Sequence, residues 1–273
     1  MTHSVRESAL SPEVVAESLH ALRERSPLVQ CLTNIVVANF TANVLLASGA
    51  APAMVDNAAE AEPFARVADA VLVNLGTPYP VTVSAMASAL RGAGSGGTPW
   101  VLDPVAAGAL EWRTSIAQAL LDQHPPAVLR GNASEVIAIA GHGTGGRGVE
   151  SVDTVDGAVD LARELSRDRG AVVAVSGEVD HLTDGDRLVR VANGHPWLTQ
   201  VTGAGCALGA LMAAFTAVTA DPLVAATSAT ATFTVAAERA AEQSAGPGSF
   251  AVSLIDQLAA LSPDDLAAAV RLS

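Results

Sequence analysis

The sequence predicts an α/β fold with a mostly parallel central sheet and helices on both of its faces. Repeated strand-then-helix units along the chain predict that pairing. Half of the 273 residues are hydrophobic, enough for a sizeable core. No linker, tandem repeat or long low-complexity block interrupts the pattern, so residues 1–273 read as one domain.

Taken in order, SPEVVAESLHALRER reads as a helix capped by Ser11. LVQCLT is a short apolar run, followed by a helix from Asn34 to Ser48 with Val37, Phe40 and Val44 on one face. PAMV precedes a helix over 57–67 and a strand, AVLVNL, over 70–75. A helix over 80–91 leads into the strand WVLDPV at 100–105. The next assigned element is AVL at 127–129, a short strand that runs into Arg130. Asn132 opens a helix over 132–140, and a helix over 154–166 precedes AVVAVSG, the clearest buried strand. HLTDGDRLVRV sets an Asp-Gly turn between β-rich arms and reads as a hairpin. LTQV is strand-like, and after Gly205 the chain reads as helical down to Leu272. Open parallel sheets bind ligands beyond the carboxyl ends of their strands. Asn34, Met54, Asn74, Asp103, Arg130 and Ser176 each end or follow a strand and become the candidates.

Charge narrows the function. The formal net charge is −13, and aromatic residues make up 3% of the chain. Such a surface repels nucleic acid and anionic membrane and offers no base-stacking platform. Every basic residue is arginine. A lysine-free chain has no P-loop lysine and no Schiff-base lysine, so arginine must make any phosphate contact. Two cysteines, Cys31 and Cys206, make neither a zinc ribbon nor a disulfide framework. The opening residues show no apolar signal core, which predicts a cytoplasmic location. The uncharged stretch 196–220 is long enough to span a membrane, but its proline, glycines and threonines favour a buried core helix.

Two stretches, GAGSGG (92–97) and GHGTGG (141–146), match the dinucleotide glycine pattern. Both follow helices rather than strands, so they read as surface connections. TGAGC (202–206) instead opens a helix, where unpaired N–H groups and the helix dipole form an anion site. Gly203 and Gly205 would let an oxyanion approach, and Cys206 there is expected to have a lowered pKa. The competing reading is a close helix–sheet contact with Cys206 as a small buried hydrophobe. In RGNASE (130–135), Asn132 and Glu135 form a helix-capping pair. Arg130 could grip a phosphate there, and Glu135 could hold water on a magnesium ion. In LDPVAAG (102–108), Asp103 can hold Mg²⁺, neutralise an arginine or cap the next turn. The six histidines show no metal-ligand spacing, and Asp153, Asp156 and Asp160 read as a solvated helix face.

Together, SPLVQCLTNIVVANFTANVLLASGAAPAMV, LVNLGT, VLDPV, LRGNASE, VSGEVD, VTGAGC and GPGSF closely resemble hydroxyethylthiazole kinase, of the ribokinase-like superfamily. They run from residue 26 to 250. The resemblance implies transfer of the ATP γ-phosphate to the alcohol of 4-methyl-5-(2-hydroxyethyl)thiazole, for thiamine salvage. It also implies Mg²⁺ and a homotrimer with active sites at subunit boundaries. Carried over residue by residue, Met54, Gly203 and Asn34 are thiazole contacts. Arg130 and Ser176 are ATP contacts, and Asp103 and Glu135 organise the magnesium. Gly203, Ala204, Gly205 and Cys206 form the catalytic helix start. Two positions depart from the pattern: Ser176 replaces a threonine and keeps its hydroxyl, and Gln200 replaces a lysine and removes a charge. Two rivals stay open, a hydroxymethylpyrimidine-type kinase and a non-catalytic vitamin-binding module; a third, an ATP-dependent hydrate dehydratase, is contradicted by Cys206. The dehydratase would carry aspartate at position 206.

Overall fold

The computed structural model describes residues 10–143 and 155–273. Among the described residues, eight strands form one sheet in the order β2-β1-β3-β4-β5-β6-β7-β8. They are β1 (Leu28–Leu32), β2 (Ala51–Ala53), β3 (Ala70–Asn74), β4 (Trp100–Asp103), β5 (Val128–Asn132), β6 (Val172–Ser176), β7 (Asp180–Thr183) and β8 (Leu188–Val191). Pairings from β2 across to β6 are parallel, whereas β7 and β8 form the expected antiparallel hairpin around Asp184 and Gly185.

Helices cover both faces. Strand residues alternate between two buried clusters, as a two-residue period requires. Ala70, Leu72, Val101, Val128 and Ala174 point into one cluster. Val71, Val73, Leu102, Leu129 and Val173 point into the other. The first cluster lies under α1 (Pro12–Arg25), α2 (Ala38–Ser48), α8 (Ala204–Thr216), α9 (Pro222–Glu242) and α10 (Pro247–Ala260). The second lies under α3 (Ala58–Ala65), α4 (Pro80–Gly96), α5 (Glu111–Gln123), α6 (Ala133–Gly143) and α7 (Val155–Arg169). A short α11 (Pro263–Ala269) follows.

Several boundaries differ from the sequence reading. Ser11 stands at the start of α1, but its side chain makes no capping bond. Helix α2 begins at Ala38, because the Asn34 side chain accepts from Val36 N–H and holds the preceding residues in turns. The interval after β4 contains α5, an unpredicted helix that buries Thr114, Ile116, Ala117, Leu120 and Leu121 at helical spacing. LTQV is no strand: Pro196–Thr199 forms a single 3-10 turn. Leu272 pairs with Val191 as an isolated β-bridge rather than ending a helix. The uncharged stretch yields α8, whose 13 residues span about 20 Å. Among the described residues, no helix is long and apolar enough to cross a membrane.

GAGSGG is not a surface loop. Its first five residues complete α4, and Gly97 caps it in the left-handed region at φ +69°. Gly92 lets α4 lie directly against α3, since a Cβ there would fall 2.2 Å from the Glu62 carbonyl oxygen. Backbone cannot yield as a flexible side chain can. Gly92→Ala is therefore expected to destabilise the fold by about 2–3 kcal/mol, read from chemical denaturation midpoints. A change under about 0.5 kcal/mol would show that the two helices are not wedged together. GHGTGG begins in the last turn of α6 and otherwise falls outside the described residues, as does Asp153. Asp160 on α7 is exposed, as expected of a solvated face.

Candidate functional site

Strand register assembles the site. Asn74 and Asp103 are register partners at the ends of β3 and β4, and Asn132 pairs with Ser176 at the ends of β5 and β6. The two-residue alternation turns Asn74, Asp103, Arg130 and Ser176 toward the same face as Leu72, Val101, Val128 and Ala174. Helix α8 packs on that face and brings its N-terminal turn over the row.

The side chains form a connected chain. Arg130 donates through Nη2 to Ser176 Oγ at 2.9 Å, and its Nη1 lies 3.7 Å from Asp103 Oδ2. Asn74 Nδ2 donates to the same Asp103 oxygen at 2.7 Å. The Asn74 carbonyl oxygen accepts from Asn34 Nδ2 at 2.8 Å and from Gly76 N–H at 2.9 Å. Asn34 Nδ2 also lies 3.5 Å from Cys206 Sγ. The ionised carboxylate thus fixes which way both amides point. Sequence position alone marked Asn74 only as the end of a strand; its bridging role comes from register.

Close approach explains the glycines. A Cβ on Gly205 would fall 2.7 Å from Arg130 Nη1, so the guanidinium rests against bare backbone at the helix start. Gly203 holds φ +94°, and a Cβ there would meet Val37 Cγ1 at 2.6 Å. Ala204 is buried behind them. Gly209, one turn further along α8, keeps the helix close to Asp103.

Glu135 sits beside this row. Its Oε2 accepts from Asn132 N–H at 2.9 Å, while Asn132 Oδ1 accepts from Glu135 N–H at 3.0 Å. This is the capping pair the sequence predicts. Glu135 Oε1 accepts from Ala106 N–H at 2.8 Å, at a residue held in the left-handed region at φ +63°. The carboxylate therefore ties the loop after Asp103 to α6. Met54, at the carboxyl end of the edge strand β2, is the exposed member of the predicted set at 38%. Gln200 is exposed at the end of the 3-10 turn.

Burial governs the charges. It pushes the Asp103 carboxyl up to about 6, despite the pull of Arg130, and nearby Glu135 adds to the rise. Cys206 departs from expectation: its pKa is raised, not lowered. Burial is the main cause and the Asp103 charge the second, and together they outweigh Asn74, Arg130 and Asn34. Burial, with the Asp103 carboxylate second, overrides the lowering expected of a thiol at a helix start. Sequence reasoning passed over Asp180, which accepts from Gly177 N–H at 3.1 Å and is also pushed by burial to about 6. Its only sequence signal is its place at the end of SGEVD. Cys31 is buried, its thiol pushed up to about 12, and takes no part.

A cleft of about 780 Å³ opens beside Arg130 and Ser176. Gly205, Asp180, Asn193, His195 and Phe233 are among its walls. Two features of the donor set fit a divalent cation with phosphates. Asp103 Oδ1 is buried without a hydrogen-bond partner, and the Glu135 carboxylate is close by. Mg²⁺ commonly takes only one or two protein carboxylates alongside phosphate and water.

The model of the hydroxyethylthiazole kinase family matches residues 19–264. A hydroxyethylthiazole kinase of Cutibacterium acnes is 60% identical, over 93% of this chain and 91% of that protein. One of Kineococcus radiotolerans is 54% identical, over 97% and 98%. A solved hydroxyethylthiazole kinase from Pyrococcus horikoshii superposes with a TM-score of 0.89 at 41% identity, covering 95% of this chain and 98% of that one. A ribokinase-like superfamily protein of Enterococcus faecalis shares the fold at 12% identity, with a TM-score of 0.65. The chain belongs to the hydroxyethylthiazole kinase family and carries the ribokinase-like fold.

Proposed function

We propose that this protein phosphorylates the hydroxyl of 4-methyl-5-(2-hydroxyethyl)thiazole with ATP. The observation that carries the reading is the Asp103–Arg130–Ser176 row facing the glycine-lined start of α8. In a chain of net charge −13, that arrangement gathers cationic and N–H groups where a polyphosphate would need them.

In the reaction, the alcohol oxygen attacks the γ-phosphorus, the bond to the ADP oxygen breaks, and the alcohol proton passes late to solvent water. Such transfers depend mainly on positioning and charge stabilisation. Arg130 supplies a fixed cationic fork to the phosphates, and the N–H groups of α8 face the transferring group. Asp103 and Glu135 would hold a magnesium ion, which when bound neutralises phosphate charge. Gly203, Asn34 and Met54 would line the thiazole end. Ile35 at 71% and Val36 at 63% exposure adjoin Asn34 and support a site completed by a neighbouring copy of the chain. A homotrimer is the assembly we propose, to be read by light scattering as three times the chain mass.

A thiol whose pKa is raised is protonated at neutral pH, so Cys206 acts as a hydrogen-bonding group rather than a thiolate base. Cys206→Ser is expected to keep kcat within about ten-fold of the parent protein, since late proton loss needs no strong base. A thousand-fold loss would reinstate the thiolate.

The reading itself is tested by ADP release with ATP and Mg²⁺, with hydroxyethylthiazole and hydroxymethylpyrimidine in parallel. Thiazole-dependent release and a phosphothiazole mass are the expected result. Release with the pyrimidine alone would overturn the substrate, and binding without release would leave a vitamin-binding module.

A further inference from the structure

The wall of the cleft formed by residues 192–194 is held from behind. Asn193 is 2% exposed, and all of its side-chain bonds lead away from the cleft. Its Nδ2 donates to Glu238 Oε2 at 2.9 Å and to the Ala269 carbonyl at 3.0 Å. Its Oδ1 accepts from Arg271 N–H at 2.7 Å. Gly194 N–H donates to the other Glu238 oxygen at 2.9 Å, at a φ of +142° that favours glycine. The Arg271 guanidinium spans both Glu238 oxygens and also donates to the Ala192 carbonyl at 2.6 Å. Residues 271–273 continue this as a ladder along β8: Ala192 N–H donates to the Arg271 carbonyl, and Arg190 and Ser273 exchange both backbone bonds. One carboxylate on α9 thus gathers four donors, two from the wall and two from the segment behind it.

Nothing in phosphoryl transfer calls for an ion pair at this place, and neither Glu238 nor Arg271 lines the cleft. What they fix is the position of Ala192, Asn193, Gly194 and, through the chain, His195, all of which do line it. The same connection runs on through the 3-10 turn to Gly203. There His195, tilted, and Trp197, edge-on, pack against the buried Phe250, with ring centroids 6.0 and 5.8 Å away. The aromatic packing ties the middle of the connection to α10, so loosening 192–194 is expected to shift the cleft wall more than the start of α8.

We propose that Glu238 and Arg271 are positioning residues for the nucleotide: they set the wall against which ATP binds and leave the thiazole end untouched. The inference rests on the kinase reading above. The test is steady-state kinetics on Glu238→Gln, Arg271→Met and Arg271→Lys, with ADP affinity measured by calorimetry. Glu238→Gln keeps the shape but turns an amide N–H toward the donors. It is expected to raise KM for ATP, and Kd for ADP, by about ten-fold, the loss of one charge-assisted hydrogen bond. KM for the thiazole and kcat stay within about two-fold. Arg271→Met, at a side chain 55% exposed, follows with a smaller rise of about five-fold. Arg271→Lys recovers part of it.

If Glu238→Gln fails to fold, the exposed Arg271 pair decides the matter. A fall in melting temperature with both KM values unchanged, or a parallel rise in both, would reduce the network to a structural staple and overturn the proposal. The kinase reading fails separately, if the parent protein binds ADP but transfers no phosphate to the thiazole; the ADP affinities of the variants then still judge the wall. A parent protein that binds no ADP overturns both.

Discussion

Asp103→Asn is expected to lower kcat/KM by about a thousand-fold, the upper range for removing one preorganised charge from a buried site. Asp103 is fully buried, one of its oxygens is without a partner, and the other serves both Arg130 and Asn74. The amide would lose the negative charge offered to a cation. It would also release the orientation of Asn74, and with it the Asn34 amide that reaches Cys206. A variant retaining more than about a tenth of the parent kcat/KM would remove Asp103 from the chemistry.

The same substitution has a signature in stability. Burial holds Asp103 at about 6 rather than its ordinary 3.8, so the folded state binds this proton more tightly than the unfolded chain. Folding then carries the extra proton between those two values, and the unliganded protein loses stability as pH rises through that window. Asp180, also at about 6, contributes in the same direction. Melting temperatures from pH 4 to 6.5, without nucleotide or metal, should fall less steeply for Asp103→Asn than for the parent. Equal slopes would mean that Asp103 titrates alike in both states.

Gly205→Ala is expected to cost about ten- to a hundred-fold in kcat/KM while leaving the fold as stable as before. The added Cβ would lie 2.7 Å from Arg130 Nη1 and 3.0 Å from Nη2. The end of a long side chain can move aside at little cost, and alanine favours a helix over glycine. The moved guanidinium, however, forfeits Ser176 and Asp103. Arg130→Ala should lose about 1.5–3 kcal/mol of charge-assisted phosphate binding, seen as weakened apparent ATP affinity. Because both substitutions act on one guanidinium, the double variant should be little worse than Arg130→Ala alone. Additive losses would show that Gly205 acts independently of Arg130.

Much of this site was legible along the chain. Apolar runs ended in Asn74, Asp103, Arg130 and Ser176, and a parallel sheet was bound to place such residues at one edge. The Asn132–Glu135 cap was readable because capping is local: both partners lie within one turn. GAGSGG misled because glycine breaks helices in isolation. Gly92 is tolerated in α4 for a partner, Glu62, that lies thirty residues earlier. Helix α5 carries its apolar spacing in the sequence at Ile116, Ala117, Leu120 and Leu121.

The sequence by itself determined the strand–helix alternation, the lysine-free acidic composition and the motifs that place the chain in its family. Those depend on residue identity and short spacing, which a chain carries whether folded or not. Only the tertiary structure decided that Asn74 joins Asn34 to Asp103, that Arg130 rests on Gly205, and that the Cys206 thiol is raised rather than lowered. Each of these depends on register between strands far apart in sequence and on the dielectric their burial creates. A carboxylate on β4 acts on a thiol on α8 only after folding has brought the two together and excluded the water between them.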